Sequence, residues 1–198
     1  MVLEEQGKRL VIDTGDFAKS LNDYQNVVGV VITHNHGDHF DKELVGKIVS
    51  ANPQAMIFSV KEVTDQLSNS NKTTVNSGDA KVIGPFSLSF YGKRHEFVHN
   101  KTPDIQNLGV LVNEVLYYPG DSFSQPDQKV KVLAVPSGAP WMKVGEAMDF
   151  LSAIKPDLAF PTHNAVLSEA GNQFANNWLA QAGGAGFRQL EIGQSLEV

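Results

Sequence analysis

Short apolar segments alternate with amphipathic segments along the 198-residue chain, and this pattern predicts an α/β fold. The clearest apolar segment is VVGVVI at Val27–Ile32, whose length and β-branched content are typical of a strand buried on both faces. Asp41 is the predicted N-cap of the next helix, because the apolar residues after it recur at helical spacing. Similar spacing predicts helices from Lys61 to Ser68, from Val144 to Ile154 and from Glu169 onward.

The remaining apolar segments predict strands that are concentrated in the middle of the chain. They are Met56–Val60, Ala80–Ile83, Phe86–Tyr91, Leu108–Val112, Val115–Tyr118, Val130–Val135 and Leu158–Phe160, with a hairpin near the start. Strands and helices alternate at both ends of the chain. This order predicts two central sheets with helices outside, and the length suits a single domain over residues 1–198.

The composition limits the chemistry that the chain can perform. It has no cysteine, so a metal ion would have to be held by histidine and carboxylate side chains. The formal net charge is −6, and no Lys/Arg cluster offers the basic surface that binds nucleic acid. No apolar run approaches the roughly 20 residues that span a bilayer, and the first residues lack the apolar region of a signal peptide. We therefore expect a cytoplasmic protein with no nucleic-acid or membrane partner.

The segment THNHGDH, directly after the first buried strand, carries most of the candidate chemistry. It places His34, His36, Asp38 and His39 within six residues. An extended backbone turns His34 and His36 to one side, while Asp38 and His39 follow the turn at Gly37. One short loop can thus begin two metal sites. The alternative is a surface turn whose side chains only bond to the backbone.

The pattern T-H-x-H-x-D-H after a buried strand resembles the signature of the metallo-β-lactamase superfamily. Further landmarks of that family occur in order: Asp13 in LVIDTG, His95 in FYGKRH, Asp121 in YYPGDS and His163 in FPTHN. The resemblance extends over residues 13–163 and implies the layered αβ/βα sandwich of that superfamily. The segment PGDS followed by PSGAPW resembles its small stand-alone hydrolases rather than its antibiotic-degrading enzymes.

The resemblance implies two divalent metal ions, zinc first, with manganese or iron as alternatives. One ion would be held by His34, His36 and His95, the other by Asp38, His39 and His163, with Asp121 bridging them. A hydroxide shared by ions about 3.5–4 Å apart would attack an ester-like, lactone-like or phosphoester bond of a small molecule. Asp38 is also a candidate to orient the attacking oxygen. Asp13 is expected to support a ligand or the motif loop from behind.

Several of these assignments have alternatives. His95 and His99 are four residues apart, and in a strand both would point to the same face. We prefer His95 as the ligand, which leaves His99 as a substrate-side or simply exposed residue. Trp141 is a candidate pocket wall or a packing residue. Asp121 could instead belong to a local Gly-Asp-Ser turn, and His163 could flank a helix.

Three departures from the wider superfamily narrow the function. Phe40 and Asp41 stand where thioester hydrolases of the glyoxalase type carry a nearby Gly-Gly pair, so that activity is disfavoured. Asp121 and the absence of cysteine exclude the antibiotic-hydrolysing members that use a cysteine ligand. Met1 lies almost at the first hairpin, so we expect the edge of the first sheet to be missing or rearranged. The functional alternatives are an iron-dependent redox enzyme and a metal-binding scaffold without turnover.

Overall fold

Two β-sheets form the centre of the molecule, which the computed structural model describes over residues 1–18, 23–68 and 71–198. The first sheet has the spatial order β1 (Val2–Glu5), β2 (Lys8–Ile12), β3 (Val27–Ile32), β4 (Met56–Ser59) and β5 (Lys72–Thr74). The second has the order β6 (Ala80–Ile83), β7 (Phe86–Tyr91), β8 (Gly109–Val112), β9 (Leu116–Tyr118), β10 (Val132–Pro136) and β11 (Leu158–Thr162). The helices are α1 (Lys42–Ala51), α2 (Lys61–Thr64), α3 (Val144–Ile154) and α4 (Glu169–Gly183).

Both sheets combine parallel and antiparallel strand pairs. In the first sheet, β1 and β2 form the predicted antiparallel hairpin, and β2 to β5 run parallel to one another. In the second sheet, β6 to β9 are antiparallel, while β10 pairs in parallel with both β9 and β11. The predicted α/β architecture with two central sheets is confirmed.

Alternate residues of the second sheet face two different apolar layers. Val110 of β8 belongs to the same buried cluster as Val30 of β3, in the first sheet. Its neighbour Leu111 packs instead with Leu151 of α3 and Leu179 of α4. Because side chains alternate across a strand, one face of this sheet meets the other sheet and the opposite face lies under helices. Each fully buried aliphatic side chain contributes about 1.5–3 kcal/mol, so both layers fix the strand ends firmly.

The predicted ends of two helices follow from their capping residues. Asp41 accepts hydrogen bonds from the backbone N–H groups of Glu43 and Leu44, which confirms it as the N-cap of α1. Helix α3 ends at Ile154, and Lys155 takes a left-handed conformation with φ of 52°. Pro156 follows directly, and the steric restriction that proline imposes on the preceding residue explains the sharp end of the helix.

The prediction of a helix from Lys61 to Ser68 was wrong in length, because α2 ends at Thr64. The Lys72 ammonium group donates to the carbonyl oxygens of Thr64 and Leu67 at 2.7 and 2.5 Å, which replaces the continuing helical bonds. The Asn/Ser/Thr-rich stretch after α2, where we predicted no strand, contains β5, and its residues 69–70 lie outside the described residues. Parallel pairing with β4 stabilises β5, and a local sequence pattern does not reveal such pairing.

Other strand boundaries also needed correction. The strand predicted at Val130–Val135 is displaced and lies at Val132–Pro136, and the one predicted at Leu158–Phe160 extends through Pro161 to Thr162. Strand β11 forms an edge of the second sheet, where a proline without an N–H group is tolerated. The strands predicted at Met56–Val60, Leu108–Val112 and Val115–Tyr118 are each one residue shorter.

The edge of the first sheet bears on the expectation of a missing or rearranged strand. Among the described strands, β1 forms this edge, and the Met1 amino group donates to the carbonyl oxygen of Ile12 at 2.7 Å. The expectation of a missing strand stays a prediction. Within the described ranges, each helix is too short or too polar to cross a membrane.

Candidate metal centre

The candidate ligands lie in loops that follow strands of both sheets. The THNHGDH loop follows β3 of the first sheet, and three more loops follow β7, β9 and β11 of the second. These loops supply, in chain order, His34, His36, Asp38, His39, His95, Asp121 and His163. A rigid two-sheet framework therefore positions side chains that are up to 129 residues apart in the sequence, counted from His34 to His163.

Three histidines form one group of converging nitrogen atoms. His34, His36 and His95 each offer a ring nitrogen, and these atoms all lie within 4.8 Å of one another. Nε2 of His34 and Nδ1 of His36 are 3.2 Å apart. Nδ1 of His95 donates to the carbonyl oxygen of Glu96 at 2.6 Å, because a carbonyl can only accept. This hydrogen bond leaves Nε2 of His95 unprotonated in the neutral ring and available as a ligand.

Asp38, His39 and His163 form a second group of donor atoms, also within 4.8 Å of one another. Oδ2 of Asp38 lies 3.2 Å from Nε2 of His163 and 3.7 Å from Nε2 of His39. Nδ1 of His163 donates to the carbonyl oxygen of Gly138 at 2.7 Å, which directs Nε2 into the group. This arrangement matches the second ligand set that the sequence resemblance implies.

Asp121 lies between the two groups and is close to both. Its Oδ2 atom is 3.2 Å from Nε2 of His95 and 3.2 Å from Nε2 of His163, while Oδ1 is 3.1 Å from Nε2 of His39. The side chain is only 3% exposed. A carboxylate in this position can contact two ions at once, as a bridging ligand must.

The donor atoms fit metal ions better than they fit one another. Four buried atoms have no hydrogen-bond partner of suitable geometry among the described residues: Nε2 of His39, His95 and His163, and Oδ1 of Asp121. Buried polar atoms are nearly always satisfied, so four such atoms around one point indicate a ligand. Two ligand atoms at 2.0–2.1 Å from a tetrahedral zinc ion lie roughly 3.3 Å apart, close to the separations measured here.

Charge interactions in the cluster move the pKa values in opposite directions. Burial lowers the pKa of His34 and of His36, so their rings are neutral near pH 7.

Burial also opposes the charged forms of His39 and His163, but the nearby carboxylates have the larger effect; these belong to Asp13, Asp38 and Asp121. The pKa of His39 is raised to about 10 and that of His163 to about 11. Without metal, these two histidines therefore carry protons that an ion would displace.

The acidic members of the cluster stay ionised. Burial raises the pKa of Asp121, but its histidine neighbours reverse this effect and hold the pKa well below its usual range. The interaction with His163 lowers the pKa of Asp38 to about 2. Both carboxylates are thus available as anionic ligands over the whole physiological pH range.

Asp13 makes hydrogen bonds to the motif loop from the end of β2. Its carboxylate accepts from the Thr33 backbone N–H at 2.8 Å and from the Thr33 hydroxyl at 2.9 Å. It also lies 2.6 Å from Nδ1 of His39. Burial opposes ionisation of Asp13, but His39 outweighs it and lowers the pKa. Asp13 therefore fixes the ring of His39 with Nε2 facing the other ligands.

Asn107 is a supporting residue that the sequence pattern did not reveal. It is fully buried, donates to the carbonyl oxygen of Pro119 at 2.9 Å and accepts from the backbone N–H of Asp121 at 3.0 Å. Gly120 between them has φ of +61°, and a Cβ atom there would lie 2.4 Å from Oδ1 of Asn107. The side-chain amide of Asn107 thus stabilises the PGDS turn. Asn107 lies 14 residues from Asp121 in the sequence, so the local motif does not include it.

The structure distinguishes His95 from His99 and also places Trp141. His99 is exposed, its Nδ1 accepts from the backbone N–H of Lys101 at 3.2 Å, and it belongs to none of the donor groups found among the described residues. His95, which we preferred, is the histidine of this segment that enters the cluster. Trp141 is buried, and its indole Nε1 donates to Oδ2 of Asp121 at 2.7 Å.

The two-sheet α/β sandwich with this His/Asp set at its strand ends defines a metal-binding protein of the metallo-β-lactamase fold. The chain belongs to the beta-lactamase superfamily, because the model described as "Beta-lactamase superfamily domain" matches residues 1–163. It is 32% identical to Protein Rv0786c of Mycobacterium tuberculosis over 173 residues, which cover 84% of this chain and 81% of that protein.

Two solved structures show the same fold at low sequence identity. Igni18, a metallo hydrolase from Ignicoccus hospitalis, aligns with a TM-score of 0.75 and 21% identity and covers 98% of this chain and 92% of its own. CmlA, a diiron β-hydroxylase from Streptomyces venezuelae, aligns with a TM-score of 0.73 and 13% identity over 96% of this chain and 51% of its own. Both likenesses establish the fold and leave the reaction open.

Proposed function

We propose that the protein is a metal-dependent hydrolase that cleaves an ester-like, lactone-like or phosphoester bond in a small molecule. One observation supports this proposal above all others. Two groups of donor atoms converge on the single carboxylate of Asp121. Within the part of the chain that the structure describes, three buried imidazole nitrogens of these groups have no hydrogen-bond partner. Such an arrangement suits two divalent ions that share a ligand.

Bound divalent ions would supply hydroxide near neutral pH and polarise the bond to be cleaved. The residues of the chain hold and shield this site. The side chains of His39, His95 and Asp121 are at most 5% exposed, whereas that of Asp38 is 30% exposed. We infer that water and substrate enter from the side of Asp38. Since Asp38 is ionised at neutral pH, its carboxylate can accept a hydrogen bond from the attacking water and orient it.

The two residues after His39 stabilise the fold and do not form a loop that could bind substrate. Phe40 is buried in the main apolar cluster, and Asp41 caps α1. This observation supports our expectation that thioester hydrolysis of the glyoxalase type is disfavoured. The size and polarity of the substrate depend on loops around the ligands, which differ widely among proteins of one fold.

An iron-dependent redox enzyme is the second candidate, and its support comes from the donor set. Imidazole and carboxylate ligands suit iron and manganese as well as zinc. The fold likeness to the diiron β-hydroxylase CmlA is compatible with this candidate. A scaffold that binds metal without turnover is the third candidate.

The proposal is tested by metal analysis of the purified protein combined with a hydrolysis screen. The screen would use nitrophenyl esters, simple lactones and bis(nitrophenyl) phosphate, before and after chelation. We expect about two divalent ions per chain and turnover that chelation removes and zinc or manganese restores. His36→Ala should lose metal and turnover together, with the exposed His99→Ala as the matched control. Redox-active iron without hydrolysis would favour the second candidate, and a loaded but inert protein would favour the third.

A further inference from the structure

Trp141 makes a contact with the metal centre that its ligand set does not require. The residue lies in the loop between β10 and α3, and only 9% of it is exposed. Its Nε1 atom donates to Oδ2 of Asp121 over 2.7 Å. The same oxygen lies 3.2 Å from Nε2 of His95 and 3.2 Å from Nε2 of His163. The indole N–H therefore holds a carboxylate oxygen that faces both donor groups.

The chemistry of the contact restricts how the carboxylate can turn. An indole N–H can only donate, and its bond to an ionised carboxylate is charge-assisted and short. Rotation of the Asp121 side chain would break this bond inside a buried site, where an unsatisfied donor is costly. The bond thus favours the rotamer in which Oδ2 lies between His95 and His163.

The ring of Trp141 is itself held by its neighbours. Its centroid is 5.3 Å from that of Phe123, which in turn lies 5.4 Å from Phe150 of α3. On its other sides, the ring is 5.9 Å from His95 and 6.3 Å from His163. The indole is therefore held in place by its packing on Phe123, which contacts α3, and this packing does not depend on a metal ion. Its N–H can then fix the orientation of the Asp121 carboxylate.

We propose that Trp141 is a positioning residue, which holds the Asp121 carboxylate in the orientation that bridges the two ions and so sets their affinity. This inference rests on the metal centre proposed above. The competing explanation is that Trp141 only fills space beside Phe123. The two explanations differ in one atom, because packing needs the ring and positioning needs its N–H.

Trp141→Phe tests the proposal, because it removes the N–H and keeps an aromatic ring. The chain has two tryptophans, and Trp178, which is 39% exposed on α4, offers a matched control in Trp178→Phe. We expect Trp141→Phe to weaken the binding of at least one zinc ion about 10-fold in a chelator-competition titration, the scale reported for supporting partners of metal ligands. Trp178→Phe should bind zinc like the wild type. Equal zinc affinity in all three proteins would overturn the proposal.

Tryptophan fluorescence gives a readout that is independent of activity. Cobalt(II) bound beside Trp141 should quench its emission, so Trp178→Phe should keep a strong metal-dependent signal and Trp141→Phe should lose most of it. The opposite assignment would contradict the geometry on which the proposal rests.

A sharper variant replaces the indole of Trp141 by benzothiophene, in which sulfur stands in place of the N–H, within the Trp178→Phe background. This change preserves ring shape and decides the question if Trp141→Phe does not fold. A 10-fold loss of zinc affinity supports positioning, whereas unchanged affinity shows that only packing matters. A wild-type protein that binds no metal would overturn the proposed function and this inference together, while normal zinc binding by the benzothiophene protein overturns this inference alone.

Discussion

Nδ1 of His39 lies 2.6 Å from Oδ2 of Asp13, a residue 26 positions earlier in the chain. Asp13 follows β2 and His39 closes the loop after β3, so the contact joins the ends of two neighbouring parallel strands. It directs Nε2 of His39 toward Asp121, which is 3.1 Å away. The orientation of His39, a candidate ligand, is therefore determined by a carboxylate that does not belong to either donor group.

Asp13→Asn should lower both zinc affinity and stability. The amide is a weaker acceptor for His39 and for the two Thr33 donors, so the ring loses its fixed orientation. We expect about a 10-fold or larger loss of zinc affinity, measured by competition with a chelator. Asp16→Asn, which changes an exposed carboxylate three residues later, is the control. Unchanged zinc binding in Asp13→Asn would show that His39 is oriented by other contacts.

His95→Ala and His99→Ala should have opposite consequences for metal binding. Nε2 of His95 is buried and lies 3.2 Å from the bridging candidate Asp121, whereas His99 is exposed and bonds to its own loop. We expect His95→Ala to weaken zinc binding at least about 10-fold and His99→Ala to leave metal content intact. Zinc titrations of the two variants that gave the reverse order would move the third ligand to His99.

The sequence allowed much of this site to be predicted because its signals are local. Four candidate ligands stand in one seven-residue segment after a continuous apolar strand, and Asp41 marks the next helix. The supporting residues were harder to predict, since Asn107 and Trp141 reach Asp121 only through the tertiary fold. Strand β5 was missed for the same reason, because its pairing with β4 depends on a neighbour rather than on its own pattern.

Asp121→Asn should damage turnover more than folding. The carboxylate touches both donor groups, but it lies in a loop after β9 rather than in the apolar core. When its charge is removed, His39 is still paired with Asp13 and His163 with Asp38, so neither imidazolium is left as an unpaired charge. We expect turnover to fall by about 100-fold or more, beyond the loss typical of a supporting group, with a thermal transition retained. A variant that unfolds but keeps full specific activity in its folded fraction would make Asp121 a structural residue.

The pH dependence of stability should differ between the metal-free and the zinc-loaded protein. In the metal-free protein the pKa values of His39 and His163 are raised from 6.5 to about 10 and about 11. A raised pKa contributes stability that is complete below the unfolded value of 6.5 and is lost as the pH rises toward the folded value. The lowered pKa of Asp38, about 2, acts at the other end, because its contribution is lost as the pH falls from 3.8 toward 2. The lowered pKa values of His34 and His36 also act on the acid side, because the unfolded state binds more protons than the folded state as the pH falls below 6.5. The metal-free cluster should therefore stabilise the fold most near pH 6.5.

Zinc should stabilise the protein increasingly as the pH rises above 6.5, where the metal-free protein loses stability. An ion needs deprotonated imidazoles, so its binding must displace the protons of His39 and His163, and it binds more tightly as the pH rises. Tighter binding to the folded state raises stability by mass action. We expect the melting temperature of chelator-treated protein to fall from pH 6.5 to 9, while the increase caused by zinc grows over the same range. His163→Gln removes one of the two titrating groups, so its metal-free profile should be flatter. A zinc effect that shrank with rising pH would contradict the assignment of both histidines as ligands, because only groups that lose a proton on binding give the predicted sign.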